Sequence, residues 1–226
     1  MTDVETTTRS FYGRSDRRKG WDHPVVRAFA APKVAWVDER IGLAGKRVLE
    51  VGAGRGYFSH ALLRHGDITV LDQSESELAL NPAADKRVGD VYALPFESGS
   101  WDVVFSGNLL HHLDRPQDAV REMARVARHH VVFLEPNNRN PIFALGYYAP
   151  RLFVAHERNA PKYCKELLES LVAGAGLHLD AHTYQGGFVI PLGTETWMLP
   201  WSGAGSYASW SMFQIGIASH DVAAVS

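Results

Sequence analysis

A glycine-rich turn between an apolar run and a helical segment is the part of the sequence that points most directly to chemistry. Residues 48–57 read Val-Leu-Glu-Val-Gly-Ala-Gly-Arg-Gly-Tyr. Glycine permits a tight turn and lets a ligand approach the backbone without a Cβ in the way. The N-terminus of the following helix offers unpaired N–H groups to an electronegative ligand group. The spacing G-x-G-x-G, with Tyr57 next, differs from the dinucleotide pattern G-x-G-x-x-G, and no Gly-Lys-Ser/Thr of a Walker loop follows.

Two acidic residues stand where they could contact a nucleoside. Asp72 lies 20 residues after Gly52, at the end of the second apolar run, where a carboxylate can accept hydrogen bonds from both ribose hydroxyls. Asp90 and Val91 follow a short strand at residues 87–88. An acid there can accept a hydrogen bond from an exocyclic amine such as adenine N6, while Val91 packs on the ring.

Candidates for a general base follow the fourth and fifth apolar runs. His111 and His112 come just after the fourth, and histidine titrates near neutrality, as a base for a hydroxyl group should. One of the two is expected to pack structurally. Glu135 ends the fifth run, where it could orient a substrate, take a proton or cap the local backbone. The other histidines lack carboxylate or cysteine partners at ligand spacing, so no metal site is predicted.

Short apolar strands that alternate with helices must position these residues. This alternation favours a parallel sheet covered by helices on both faces, with the ligand beyond the carboxyl ends of the strands. At the start of the chain, residues 21–41 have helical spacing, and Pro32 is expected to separate two helical pieces. Ser74 is expected to cap a helix, with Glu77 completing a capping box. The predicted strands are 47–51, 68–71, 87–88, 103–105 and 131–134, and the predicted helices are 57–65, 74–80, 116–128 and 161–173.

Composition excludes several classes of protein. The 226 residues are 46% hydrophobic and 21% charged, which is ordinary for a globular domain and unlike a disordered or collagen-like chain. A net charge of −2 does not favour nucleic-acid binding, and one cysteine allows no internal disulfide. No export signal or membrane-spanning segment is visible, so a cytoplasmic protein is expected.

Together these motifs resemble the class I S-adenosylmethionine (SAM)-dependent methyltransferases. The closest similarity is to the type 11 group, which includes ubiquinone- and menaquinone-biosynthesis methyltransferases, and it covers about residues 46–136. The glycine loop, Asp72, the Asp90–Val91 pair and residues 101–113 occur in the family's order and spacing. The resemblance implies an α/β, Rossmann-like sheet of seven strands in the order 3-2-1-4-5-7-6, with the last strand antiparallel and helices on both faces. The family's Lys-Pro-Gly-Gly turn before the fifth strand is missing here.

The resemblance also implies roles for individual residues. The methionine part of SAM would be surrounded by the end of the first strand and the glycine loop, and Asn108 would lie near the reacting methyl group. Asp72 and Gln73 would hold the ribose, and Asp90 and Val91 the adenine. The residues at the methionine part are Glu50, Gly52, Ala53, Gly54 and Gly56.

One domain is expected over residues 1–226. It would comprise a helical arm or lid (1–45), a SAM-binding core (46–136) and a substrate side with the C-terminal strands (137–226). Aromatic residues concentrate in the outer parts, where they could form a wall around an apolar or flat ligand. Equally, they could cover the core or a dimer contact. The predicted substrate residues are Tyr12, Trp21, Tyr147, Tyr148, Trp197 and Trp201.

The leading hypothesis is an enzyme that transfers a methyl group from SAM to a small, largely apolar or aromatic molecule, leaving S-adenosylhomocysteine (SAH). Oxygen is the first expectation for the acceptor atom, followed by carbon or nitrogen, in small-molecule or secondary metabolism. Two alternatives remain open: an NAD(P)-dependent oxidoreductase and a non-catalytic SAM-binding partner subunit. No nucleic-acid or membrane partner is expected, and the protein is expected to be a monomer or homodimer.

Overall fold

The computed structural model describes residues 20–140, 162–186, 211 and 213–220. Within these ranges the chain alternates between strands and helices, as predicted. The strands are β1 (Val48–Val51), β2 (Ile68–Asp72), β3 (Asp85–Val88), β4 (Trp101–Gly107), β5 (Ala127–Pro136), β6 (Leu177–Gln185) and β7 (Phe213–His220). The helices are α1 (Pro24–Ile41), α2 (Ser59–Leu62), α3 (Glu75–Ala79), α4 (Pro116–Val126) and α5 (Lys165–Ala173), with a 3-10 turn at Leu110–His112.

The described strands form one sheet in the order β3-β2-β1-β4-β5-β7-β6, which confirms the predicted topology. Strands β1 to β5 pair in parallel, and β7 lies antiparallel between β5 and β6. The β7 register places Ile217 opposite Val132 and Phe213 opposite Pro136. Since parallel strands end at a common edge, the residues that follow β1, β2, β3 and β4 are brought together.

Each face of the sheet is covered by its own apolar core. On one face α1 and α2 pack on side chains that include Val103 and Phe105 of β4. On the other face α4 and α5 pack on side chains that include Val104, between those two in sequence. Successive residues of a strand point to opposite faces, so a strand buried on both sides is continuously apolar, as the sequence predicted.

Three of the differences from the predicted boundaries concern α1, α2 and the passage from α4 to β5. Helix α1 continues through Pro32 instead of dividing there, and buried residues on both sides of the proline, Ala30 and Val34, hold it on the sheet. The predicted helix 57–65 is α-helical only over Ser59–Leu62; the chain continues to residue 65 through hydrogen bonds three residues apart. The first residues of the predicted helix belong instead to the glycine turn.

The third boundary is between α4 and β5. Helix α4 ends at Val126, and Ala127 is already extended, with ψ 134°. Residues 127–130, expected partly in the helix, belong to β5 because they pair with β4 and β7. Helix α4 therefore passes directly into β5, at the point where the sequence lacks the Lys-Pro-Gly-Gly turn.

The helix caps follow the predicted chemistry in part. Ser74 caps α3, since its Oγ accepts a hydrogen bond from the Glu77 N–H at 3.3 Å. The Glu77 carboxylate is paired with Arg55. Helix α5 begins at Lys165, later than predicted, and the Cys164 thiol accepts from the Leu167 N–H. None of the described helices is both long and apolar enough to cross a bilayer.

Candidate active site

A cavity of about 580 Å³ opens at the carboxyl edge of the sheet. Its walls come from the loops after β1, β2, β3 and β4, which carry the four sequence motifs. Apolar surface between the polar groups comes from Tyr57, Phe58, Leu71 and Leu109. Ten of the predicted cofactor and catalytic residues line it: Glu50, Gly52, Ala53, Gly54, Asp72, Gln73, Asp90, Val91, Asn108 and His112.

The glycine loop is fastened to β2 by its backbone. The N–H groups of Gly52 and Ala53 both donate to the Leu71 carbonyl, at 2.8 and 3.1 Å. Gly54 has φ +47°, and a Cβ built on it would have only Asp72 Oδ2 near it, at 3.9 Å. Such a Cβ would point to space at the cavity wall. The loop thus presents bare backbone to the cavity at this position.

Gly56 differs from the prediction. Its φ is +94°, and a Cβ at this position would lie 2.4 Å from Pro82 Cδ and 3.2 Å from Asn81 Cγ. Gly56 is buried and is not among the residues that line the cavity. It therefore serves close packing of the loop against the segment between α3 and β3, and we do not assign it to cofactor contact.

Asp72 links two loops through its carboxylate. Oδ2 accepts a hydrogen bond from the Gly54 N–H and Oδ1 accepts one from the Ser74 N–H, both at 2.8 Å. Burial raises the pKa of this carboxyl, and the two backbone donors oppose that shift. Each carboxylate oxygen can accept more than one hydrogen bond, so both remain able to accept from a ribose.

Glu50 lies at the end of β1 and is 2% exposed. Ser59 Oγ donates to its Oε2 at 2.5 Å, and Asn81 Nδ2 donates both to Ser59 Oγ at 2.8 Å and to the Gly54 carbonyl at 3.0 Å. Burial raises the pKa of Glu50 to about 8, and the negative charge of Asp72 adds to the increase. Sequence reasoning missed Ser59 and Asn81, which connect Glu50 to the glycine loop.

A buried ion pair forms another part of the wall. Arg55 Nε and Nη2 donate to the two carboxylate oxygens of Glu77 at 2.9 and 3.0 Å. The two side chains are 7% and 5% exposed. A bidentate arginine–carboxylate pair fixes orientation as well as distance, so it ties the glycine loop to α3. The sequence indicated only that Glu77 belongs to a helix cap, and it gave no local signal for Arg55.

Asn108 follows β4 in an unusual backbone conformation, with φ +56°, and its N–H donates to the Leu134 carbonyl at 2.7 Å. Its side-chain Oδ1 is buried and has no hydrogen-bond partner among the described residues. A buried acceptor without a donor is costly, which indicates that a ligand supplies one. An ammonium group is such a donor, so this position suits the amino end of the methionine part of SAM.

The three predicted catalytic residues separate into one at the wall and two behind it. His112 lines the cavity, whereas His111 and Glu135 do not. Glu135 is fully buried and accepts from the N–H groups of Leu109 and Leu110 and from His111 Nδ1, the last at 2.7 Å. This arrangement makes Glu135 a backbone cap that also orients His111.

The loop after β3 closes the opposite end of the cavity. Asp90 is exposed, and its Oδ1 accepts from the Tyr92 N–H at 2.9 Å. Val91 is half-buried beside it, and the Arg115 guanidinium lies 4.2 Å from the centre of the Tyr92 ring. An acid with free acceptor capacity next to an apolar side chain matches the predicted adenine contact.

Of the predicted substrate residues, Trp21 alone lies within the described ranges. Trp21 does not line the cavity; its ring stacks on His60 with centroids 6.4 Å apart. Tyr12, Tyr147, Tyr148, Trp197 and Trp201 lie outside the described residues. Within the described ranges, no group of three or more His, Cys, Asp or Glu side chains is arranged to hold a metal ion.

Comparison with known proteins agrees with this geometry. A family profile described as "Methyltransferase domain", of the type 11 group, matches residues 49–134. Ubiquinone biosynthesis O-methyltransferases of Pseudomonas aeruginosa (strain UCBPP-PA14) and Pseudomonas fluorescens are 36% and 35% identical over 120 residues. Each alignment covers 48% of this chain and 52% of the relative, so the chain spans about half the length of the curated relatives it matches.

Solved structures share the fold across the whole length. A SAM-dependent methyltransferase from Thermotoga maritima superposes with a TM-score of 0.68 at 16% identity, covering 97% of this chain and 99% of that one. Magnesium protoporphyrin IX methyltransferase from Synechocystis PCC 6803, crystallised with bound SAM, gives 0.63 at 14% identity and 98% coverage of both chains. At these identities the likeness shows the fold alone. Residues 49–134, with their motifs in order on this sheet, match the methyltransferase domain of the type 11 group, and this match supports a class I SAM-dependent methyltransferase.

Proposed function

We propose that the protein is a methyltransferase that binds SAM in the cavity at the carboxyl edge and methylates a small, largely apolar or aromatic acceptor. The observation that carries this proposal is that one cavity gathers all four motifs. It holds a partnerless acceptor at Asn108, bare backbone at Gly54 and a ribose-compatible carboxylate at Asp72.

These residues fit SAM, and each would hold a different part of it. Asn108 Oδ1 would accept from the amino group, the loop from Gly52 to Gly54 would lie along the methionine part, and Asp72 with Gln73 would receive the ribose hydroxyls. Asp90 and Val91 would contact the adenine. Bound SAM supplies a methyl group on a positively charged sulfur, and the protein aligns the acceptor and excludes water.

An acceptor that loses a proton also needs a base, and His112 is our candidate. It lines the cavity beside Asn108 and Leu109, near the predicted position of the methyl group. Its neighbour His111 packs 3.9 Å away, centroid to centroid, and is itself held by Glu135. This support limits the orientations of the His112 ring, as a general base requires.

Oxygen is the proposed acceptor atom. The support is the similarity to ubiquinone biosynthesis O-methyltransferases, which are 36% and 35% identical over 120 aligned residues. A phenolic hydroxyl has a proton that a neutral imidazole can take, which agrees with His112 at the wall.

The cofactor assignment is tested by calorimetric titration with SAM, SAH and NADH. We expect SAM and SAH to bind and NADH not to bind. Asp72→Asn should weaken SAH binding about 10- to 100-fold, because a hydrogen bond to a charged acceptor is lost. Glu75→Gln, an exposed acid in the neighbouring helix, is the matched control and should bind as the wild type does. Binding of NADH alone would favour the oxidoreductase alternative.

The role of His112 is tested by transfer of a radiolabelled methyl group to a panel of phenols and catechols. We expect His112→Gln to retain SAH affinity and to lose transfer by about 100-fold or more. SAM binding without any transfer over the whole panel would favour the non-catalytic partner subunit. Equal transfer by wild type and His112→Gln would remove the base assignment while leaving the cofactor assignment in place.

A further inference from the structure

Lys33 is a buried amine that the proposed reaction has not used. It lies in the middle of α1 and is 1% exposed. Its Nζ donates one hydrogen bond, to the Phe29 carbonyl at 2.8 Å, and lies 3.8 Å from the centre of the Phe29 ring and 5.6 Å from that of Phe213. Over the described ranges, no carboxylate pairs with this amine.

The position of Lys33 relates it to the candidate active site. Phe213 begins β7 opposite Pro136, at the carboxyl edge where β5 ends. The Phe29 ring contacts Phe58, with centroids 5.7 Å apart, and Phe58 lines the cavity. The Phe29 and Phe58 rings thus lie between the amine and the cavity.

A second buried polar group lies at the same edge. Gln185 ends β6 opposite Phe213 and is 3% exposed, and its Oε1 has no hydrogen-bond partner among the described residues. The next residue, Gly186, brings its backbone so near that a Cβ would lie 4.0 Å from Lys33 Nζ. A buried amine that can donate further hydrogen bonds and a buried amide oxygen that accepts none among the described residues therefore lie at the same edge of the sheet.

The energetics argue against a purely structural role for the amine. A buried amine without a counter-ion is destabilising, and burial alone lowers the pKa of Lys33 to about 7. Methionine would fill a similar volume without that cost. Flanking phenyl rings favour a cation by contact with their faces, and they also offer stacking surface to another ring.

We propose that Lys33 anchors an anionic oxygen, a carboxylate or phenolate, of an aromatic methyl acceptor whose ring packs against Phe29 and Phe213. The anion supplies the counter-charge that the amine lacks among the described residues. The inference rests on the proposed function, since it names the class of acceptor for the same site. It makes Lys33 a positioning residue that selects acidic aromatic acceptors.

The test compares two probes of the same shape, one anionic and one neutral. 3,4-Dihydroxybenzoate and its neutral amide, 3,4-dihydroxybenzamide, are titrated into the protein saturated with SAH. We expect the acid to bind the wild type about 10- to 100-fold more tightly than the amide. Lys33→Met should bind both equally and keep the wild-type affinity for SAH. Lys86→Met, an exposed lysine on edge strand β3, is the control and should keep the preference for the acid.

Thermal unfolding separates this role from a structural one. Lys33→Met should melt at the same temperature as the wild type or higher, because it removes a buried amine. The proposal is overturned if the wild type binds acid and amide equally, if neither probe binds at millimolar concentration, or if Lys33→Met retains the preference. Failure of SAH to bind at the first step would instead overturn the proposed function.

Discussion

Glu50 illustrates how burial sets the protonation of a single residue in this site. Its pKa is raised to about 8, first by burial and then by the charge of Asp72, while the hydrogen bond from Ser59 opposes the increase. At neutral pH the free protein therefore holds this carboxyl mostly protonated. A positively charged ligand in the cavity would favour the ionised form.

The first prediction concerns the pH dependence of stability. An unfolded glutamate titrates near 4.3, and between that pH and about 8 the folded state holds more protons at Glu50 than the unfolded state does. Glu50 therefore makes the fold progressively less stable as the pH rises through this window. Glu50→Gln removes the effect, so the free energy of unfolding of the variant should rise relative to that of the wild type by about 3–4 kcal/mol between pH 5 and pH 8.

Urea unfolding at pH 5, 6.5 and 8 measures this difference. Glu97→Gln, an exposed glutamate with no part in the site, is the control and should follow the wild type at every pH. Parallel curves for wild type and Glu50→Gln would show that Glu50 is already ionised at pH 5.

At the scale of elements, the glycine loop contains two positions with the same backbone demand and different surroundings. Gly54 and Gly56 both have positive φ, where a side chain is strained. A Cβ on Gly54 would face the cavity wall, whereas one on Gly56 would overlap Pro82. The loop therefore has one face for a ligand and one for packing.

The second prediction is that alanine separates these two roles. Gly56→Ala should destabilise the fold by about 2–4 kcal/mol, from backbone strain plus overlap with Pro82. Gly54→Ala should cost only about 1–2 kcal/mol but weaken SAH binding at least about tenfold, since backbone can no longer meet the ligand. Chemical unfolding and calorimetry on both variants check this. Equal stability losses would contradict the assignment of Gly56 to packing.

The sequence was sufficient to predict those elements that are specified by neighbouring residues. The glycine loop, the Ser74 cap and the apolar strands are each specified by consecutive residues, so a short stretch of sequence is enough to predict them. The resemblance then supplied the strand order. The early start of β5 was missed because pairing with β4 and β7, both distant in sequence, decides it.

The parts of the site that were missed depend on contacts across the fold. Asn81 and Ser59 meet Glu50 only when α2 and the α3–β3 segment come together, and Arg55 finds Glu77 in the same way. Glu135 was expected at the mouth of the site because it ends a strand. Whether it reached the cavity or the backbone behind it depended on the 3-10 turn, which the sequence did not reveal.

At the scale of the whole molecule, the important feature is that residues of the central strands also form part of the cavity wall. Glu50, Leu71 and Gly107 belong to or adjoin central strands and also line the cavity. A ligand bound there contacts residues that are fixed only in the folded state, and such a ligand stabilises the fold by mass action.

The third prediction follows because a ligand in this cavity binds the folded state. SAH at 100 times its dissociation constant should add about 2.7 kcal/mol to the free energy of unfolding. For a chain of this size that corresponds to an increase in melting temperature of roughly 5–10 °C. Differential scanning calorimetry with SAH, and with NADH as the comparison ligand, measures it. An unchanged melting temperature with saturating SAH would mean that the unfolded chain binds it equally well.

The described residues that line the cavity all lie between Glu50 and Arg115, a continuous stretch of the chain. The strands that complete the sheet on its β5 side, and the segments that adjoin Lys33, come from elsewhere in the sequence. The cavity-lining segment can therefore be treated as one unit, and the strands that complete the sheet as another. Chimeras that exchange residues after Asn137 for those of a type 11 methyltransferase offer a route to new acceptor preferences with cofactor recognition left in place.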